Sequence, residues 1–222
     1  MSTYNVLHLK ASLPIGKLIC LARTYPKHAQ EMNSLPIKDV LVFLKPESAV
    51  IFDGDTISIP AQTKQVHHEV ELGIVIGTMG KHIPVEQALN YVFGYCVCLD
   101  ITARDIQSIA KKNGWPWTIA KGFDTFAPVS EVIPKHEVFD PNNIDLSLWV
   151  NNEIRQKENT SQMMFTVEEI ISHVSKLMTL KKGDLIMTGT PDGVAEIRSG
   201  DVLHATLYQQ KQQLVHLHIT VE

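Results

Sequence analysis

His67-His68-Glu69-Val70-Glu71-Leu72-Gly73-Ile74-Val75-Ile76-Gly77 is the stretch on which the reading of this chain turns. Val70 to Ile76 is short, apolar and rich in β-branched residues, a pattern that predicts a strand. Side chains at i and i+2 of a strand project from one face. Glu69 and Glu71 therefore point the same way, while Val70 and Leu72 point into a core. Two adjacent carboxylates repel each other unless a cation lies between them or one stays protonated. A solvated strand face is the plain alternative. Against it, the run continues as Gly73-Ile74-Val75-Ile76-Gly77, which reads as a buried strand rather than an edge.

A third carboxylate, Asp100, ends a second apolar strand, Gly94-Tyr95-Cys96-Val97-Cys98-Leu99. Strand ends are where a fold brings separate groups together. Glu69, Glu71 and Asp100 offer hard oxygen ligands with no cysteine among them. Such a set suits Mg2+ or Mn2+, with waters or substrate at the remaining positions. His67 and His68 would instead favour Zn2+ or Fe2+, and hydrogen bonding to their surroundings is the preferred reading of both.

A second constellation is His28-Ala29-Gln30-Glu31. Residues i and i+3 of a helix are neighbours, so Glu31 can orient and polarise the His28 imidazole. That pair suits a general base acting on water. Arg23, Lys45, Arg104, Gln107, Lys121 and Thr190 are the remaining polar candidates. Lys121 follows Trp117-Thr118-Ile119-Ala120 and precedes Gly122-Phe123, so its ammonium needs an anionic partner or a route to solvent. Thr188-Gly189-Thr190-Pro191-Asp192-Gly193 follows an apolar strand and lacks the Gly-Lys-Ser/Thr ending of a nucleotide loop. Its backbone N–H groups can hold a carboxylate.

Further strands are predicted at Leu41 to Leu44, Ile144 to Val150, Leu185 to Met187 and Val202 to Leu207. The polar Tyr208 to Gln213 marks a hairpin turn into an alternating final strand, Leu214 to Val221. Pro84 opens a helix from Val85 to Val92, and Thr102 caps one that runs to Lys112 and stops at Asn113-Gly114. Thr166-Val167-Glu168-Glu169 has capping-box spacing, followed by Val167, Ile170, Ile171, Val174 and Leu177 at helical period. A shorter helix is expected from about Tyr25 to Met32, with Pro26 in its first turn and Thr24 as its cap. Strands do not alternate regularly with helices, so the class is α+β and β-rich rather than a doubly wound parallel sheet. Residues 1–40 are expected to form an N-terminal segment carrying the short helix, and residues 41–222 the main domain.

The chain has 222 residues, 44% of them hydrophobic and 20% charged, with 20 basic against 24 acidic side chains. That composition is globular rather than disordered. A net charge of −4 lacks the basic footprint of a nucleic-acid binder. No run reaches the roughly 18 apolar residues that span a bilayer, and the first residues carry no signal-peptide pattern. Cys20, Cys96 and Cys98 read as buried, reduced thiols, which points to the cytoplasm.

Leu21-Ala22-Arg23-Thr24-Tyr25 with His28 and Glu31, Phe43-Leu44-Lys45-Pro46, His67 to Gly73, Gly94 to Gln107, Trp115 to Lys121 and Thr188 to Val194 occur here in that order. In these motifs the chain resembles the fumarylacetoacetate hydrolase family, above all its short acylpyruvate hydrolase and oxaloacetate decarboxylase members. The resemblance implies a mixed-sheet β-roll with flanking helices and a short N-terminal lid helix, usually in a homodimer. It implies a Mg2+ or Mn2+ site at Glu69, Glu71 and Asp100, a lid dyad of His28 and Glu31, and an active-site Lys121. Arg23, Lys45, Arg104, Gln107 and Thr190 fall on substrate-side positions. The implied activity is C–C hydrolysis of 2,4-dioxo acids to pyruvate and a carboxylic acid. Oxaloacetate decarboxylation and isomerisation or tautomerisation of an unsaturated 2-oxo diacid are the alternatives. The partner is then a small 2-oxo acid, with no nucleic acid and no membrane. Ala22 and Thr24 replace the Gly and Asn of the family's usual Gly-Arg-Asn-Tyr.

Overall fold

The computed structural model describes residues 2–31 and 40–222. Val70–Ile76 is a strand in which every residue is buried. Both of its faces are covered, which is why it reads as a near-continuous apolar run. It lies in the middle of a large mixed sheet ordered Leu41–Lys45, Leu18–Ala22, Leu185–Met187, Val70–Ile76, Val92–Leu99, Ala127–Val129 and Val50–Phe52. Ile133–Pro134 also pairs with Val92–Leu99. Two pairings are parallel, Leu185–Met187 with Leu18–Ala22 and Ala127–Val129 with Val50–Phe52. The boundary at residue 40 falls between two adjacent strands of this sheet, since Leu18–Ala22 pairs with Leu41–Lys45.

A second sheet runs Glu153–Asn159, Asp145–Val150, Val202–Gln209, Gln212–Val221 and Thr56–Ile57. The two sheets share one core. Leu72, Ile74 and Ile76 from the first meet Leu146, Leu148, Leu203, Leu207 and Leu217 from the second. The opposite face of the large sheet packs Val75, Cys96, Cys98 and Leu185 against Tyr4 and Leu13 of the N-terminal hairpin Thr3–Val6/Leu9–Pro14. All three cysteines are free and buried there. The result is the expected β-rich roll.

Four α-helices flank it among the described residues: α1 Pro26–Glu31, α2 Arg104–Asn113, α3 Thr118–Lys121 and α4 Val167–Leu177. The predicted C-terminal residue of the first, Met32, lies outside the described residues. α2 starts one residue later than Thr102 capping requires, with Ala103 at the N-cap position. Thr102–Ala103 is instead a short strand paired with Val66–His67, and the Thr102 hydroxyl donates to the Asp100 carbonyl. Its end is as read, with Gly114 in the left-handed region at φ 68°. Val85–Tyr91 is a 3-10 helix rather than an α-helix, and Val92 already belongs to the next strand. The hairpin at Gln210-Lys211 closes with both residues at positive φ, 51° and 67°, as a tight primed turn requires. No helix among the described residues is long and apolar enough to cross a membrane.

α4 carries the full capping box: the Thr166 side chain accepts from the Glu169 N–H, and Glu169 accepts from the Thr166 N–H. Thr166→Ala is expected to lower stability by about 1 kcal/mol, seen as a lower urea midpoint at unchanged slope.

Candidate active site

Strand alternation builds the acidic cluster. Glu71 lies opposite Cys98 in the antiparallel ladder. Asp100 follows two residues later on the same face, and its N–H donates to the Glu69 carbonyl oxygen at 2.8 Å. One carboxylate oxygen from each of Glu69, Glu71 and Asp100 falls within 4.8 Å of the others, and all three residues are buried.

Three cations pair with two of the three carboxylates, Glu69 and Asp100. Lys45 Nζ donates to Asp100 Oδ1 at 2.6 Å and to the Ile101 carbonyl at 2.9 Å. Lys121 Nζ donates to Glu69 Oε2 at 2.9 Å and also to Asp100 Oδ2. Arg104 Nη2 donates to Glu69 Oε1. Burial alone would raise the Glu69 pKa, but Lys121 and Arg104 hold it well below the ordinary carboxylate range. Burial alone would lower that of Lys121, and Asp100 and Glu69 raise it above normal. Glu71 touches none of these cations. Its Oε2 accepts the Gly189 N–H at 2.7 Å. Burial, then repulsion from Asp100 and Glu69, pushes its pKa well above the usual value. A buried carboxylate in that position ionises once a further cation is supplied. The oxygen-only donor set and the unanswered Glu71 therefore fit a hard divalent ion.

The cleft over this cluster is lined by Arg23, His28, Phe43, Glu69, Glu71, Arg104, Gln107, Lys111, Trp117, Lys121 and Thr190, with Leu21 and Ala22. His28, on α1, bonds through Nδ1 to Glu31 Oε2 at 3.2 Å. The acceptor is a carboxylate, so Nδ1 carries the proton and Nε2 is left as the basic nitrogen. Glu31 Oε1 accepts the Gly193 N–H at 3.1 Å. The loop Thr188–Gly193 thus holds Glu71 at one end and Glu31 at the other. Gly189 (φ 91°) and Gly193 (φ 94°) sit where L side chains are strained. A Cβ on Gly189 would come within 2.1 Å of Thr24 Oγ1, and one on Gly193 within 2.1 Å of the Arg155 carbonyl oxygen. Thr24 does not use its hydroxyl as a cap; it donates to the Thr188 carbonyl at 2.6 Å and so ties the start of the lid to this loop.

Two residues with expected substrate-side roles have their polar groups engaged by the protein itself. Lys45 is buried behind Asp100, outside the cleft lining, because its ammonium is fully used in holding that carboxylate. Thr190 reaches the cleft, but its hydroxyl donates to the Val70 carbonyl and accepts from Gln156 Nε2, both at 2.8 Å. Gln107 accepts from Arg104 Nη1 at 2.7 Å, which leaves its amide nitrogen for a ligand. Arg23 is held at φ 61°, a left-handed backbone that costs a non-glycine residue on the order of 1–3 kcal/mol.

Neither His67 nor His68 joins the cluster of Glu69, Glu71 and Asp100. His67 Nδ1 accepts from Arg104 Nε at 3.4 Å, and burial, with Arg104 beside it, draws its pKa down to about 4. His68 donates from Nδ1 to Gln156 Oε1 at 2.9 Å. Gln156 also accepts the Val70 N–H at 3.0 Å and donates to Thr190 and to the Pro191 carbonyl. This amide pins the acidic strand to the loop, yet Gln156 stands in Glu153-Ile154-Arg155-Gln156-Lys157-Glu158-Asn159, a polar run with no chemical signature. The one available signal was the Asn151-Asn152 turn, both residues at positive φ, which makes that run the partner of Asp145–Val150.

Sequence and structure comparisons place this site among known proteins. The fumarylacetoacetate (FAA) hydrolase C-terminal family profile matches residues 17–222. The chain is 47% identical over 189 residues to the mitochondrial oxaloacetate tautomerase FAHD1 of Arabidopsis thaliana, covering 85% of each protein. It is 44% identical over 207 residues to the Homo sapiens protein of that name, covering 90% of this chain and 94% of that one. The crystal structure of fumarylpyruvate hydrolase from Pseudomonas aeruginosa in complex with Mn2+ and pyruvate superposes with a TM-score of 0.93 at 34% identity, covering 99% of this chain and 95% of that one. An acidic triad, a histidine–glutamate pair across the cleft and a family profile spanning nearly the whole length agree: this chain belongs to the fumarylacetoacetate hydrolase family.

Proposed function

We propose that this protein is a divalent-metal enzyme of 2-oxo acids that works through an enolate, and that its reaction is keto–enol tautomerisation of oxaloacetate. The observation that carries the reading is His28, paired with Glu31, lining the same cleft as Glu69, Glu71 and Lys121. The relatives named oxaloacetate tautomerase, at 44% and 47% identity, support that substrate.

Mg2+ or Mn2+ held by Glu69, Glu71 and Asp100 would supply Lewis acidity toward the substrate's carboxylate and 2-oxo oxygen. His28 Nε2 takes a proton from C3. The C3–H electron pair becomes the C2–C3 double bond, and negative charge grows on the 2-oxo oxygen. Lys121, fixed by Glu69 and Asp100, is a preorganised cation beside that charge. The proton held on His28 Nε2 returns to the oxygen through water, which completes the enol and frees the base, and the reverse sequence regenerates the ketone. Glu31 keeps the imidazole in the tautomer that has Nε2 free.

Hydrolytic cleavage of an acylpyruvate is the second reading, favoured by the likeness to fumarylpyruvate hydrolase. There His28 would deprotonate water instead of C3. The hydroxide attacks the C4 carbonyl, the C3–C4 bond breaks, and a carboxylic acid and pyruvate enolate leave. Decarboxylation of oxaloacetate needs no base at all.

The readings separate in one assay. Decay of the oxaloacetate enol absorbance and formation of pyruvate are followed with Mg2+ or Mn2+, with EDTA, and in His28→Ala, beside pyruvate release from acetylpyruvate. Enol decay is expected to need metal and to slow at least about 100-fold in His28→Ala. Wild-type protein that leaves enol decay at the uncatalysed rate overturns the tautomerase assignment. Pyruvate from acetylpyruvate lost with His28 would establish the hydrolase instead.

Glu71→Gln keeps the side-chain size and an acceptor for Gly189 but removes the unanswered charge. Calorimetric titration is expected to show Mn2+ affinity falling by at least about 100-fold, the upper end for outer-shell changes at metal sites. Unchanged affinity would remove Glu71 from the ligand set.

A further inference from the structure

Lys111 belongs to no motif that marks the family site, yet it lines the cleft. On α2 it follows Arg104 and Gln107 at i+7 and i+4, the spacing that puts three side chains on one helix face. Its ammonium stands 5.3 Å from the Trp117 ring centroid. Trp117 packs on Phe43 at 5.6 Å, and Phe43 carries Lys121 Nζ at 5.0 Å. An aromatic wall thus joins the acidic cluster, where Lys121 is neutralised, to a second cation at its far end.

That second cation is not neutralised. Glu69 answers Arg104, but neither Arg23 nor Lys111 forms an ion pair among the described residues. Partial desolvation and repulsion from Arg104, opposed by Glu69 and joined more weakly by Arg23 and Lys121, draw the Lys111 pKa down to about 8. Like charges gathered at one end of a cleft are unfavourable until an anion joins them. The charge count agrees. Glu69, Glu71 and Asp100 are balanced by Lys45, Lys121 and Arg104, so a divalent ion leaves the inner site at +2, and Arg23 and Lys111 add to it.

We infer that Lys111, with Arg23, is the receptor for a second carboxylate, at the substrate end remote from the 2-oxo acid group, and so selects 2-oxo dicarboxylic acids over their monocarboxylic analogues. This rests on the proposed function for the place of the 2-oxo acid group at the triad. A positioning role for Lys111 alone would affect both classes of acid equally.

The test is binding to the Mg2+-loaded protein of two stable probes, 2-oxoglutarate and 2-oxobutyrate, which differ at the distal carboxylate. The wild type is expected to prefer 2-oxoglutarate about tenfold, more than an exposed ion pair gives and in keeping with a partly desolvated one. Lys111→Met should reduce that preference below about threefold by weakening 2-oxoglutarate alone, and Lys111→Arg should restore it. No preference in the wild type, or a preference that survives Lys111→Met, overturns the inference. So does an equal loss for both probes. Failure of the proposed function is separate: the wild type then leaves oxaloacetate and acetylpyruvate untouched whatever the probe ratio.

Discussion

Three carboxylates cannot share one buried corner unless something answers their charge, and the structure around Glu69, Glu71 and Asp100 is organised by that requirement. Lys45 comes from the edge strand of the same sheet, Lys121 from a one-turn helix, and Arg104 from the start of α2. Each is buried and would be costly there without its carboxylate. The acids and bases therefore depend on one another, and breaking one pair leaves an uncompensated charge, which is far more destabilising than the pair is stabilising. Glu71 stands outside the exchange. Its only protein partner among the described residues is a backbone N–H, so the network is complete only when a cation is added.

The central strands and the triad were legible because their signals are local. Alternation in Val70–Ile76 and Gly94–Leu99 fixes which side chains share a face, and two strands ending in carboxylates are a short-range pattern. The capping box of α4 and the Gln210-Lys211 turn are local in the same sense. What escaped was set by partners distant in sequence. Thr102 has the composition of a cap, but pairing with His67 claims its backbone. The resemblance put Lys45 among the substrate-side positions; only the tertiary fold shows its ammonium turned to Asp100. Gln156 gave no sign at all. It lies on an otherwise exposed, charged edge strand whose identity depends on its neighbour rather than on its own propensity.

The same electrostatics divides the cleft into two regions. Near the triad every cation has a carboxylate, so what the region binds is decided by the metal and by the orientation of donors. Among the described residues Arg23 and Lys111 have no such partner, and Arg23 holds a left-handed backbone. On the proposed function, catalytic chemistry falls to the triad, Lys121 and His28, and substrate choice to Lys111 and Arg23.

The loop Thr188–Gly193 gives one N–H to Glu71 and another to Glu31, so it acts as a gauge setting the distance between these two carboxylates. Surface loops ordinarily absorb insertions with little penalty. This one cannot: a single added or lost residue displaces one of the two N–H groups by about 3.3–3.6 Å, beyond hydrogen-bond reach. Length variation within such chains should consequently accumulate elsewhere, and new substrate ranges should arise by replacing side chains at the mouth while the gauge keeps its six residues.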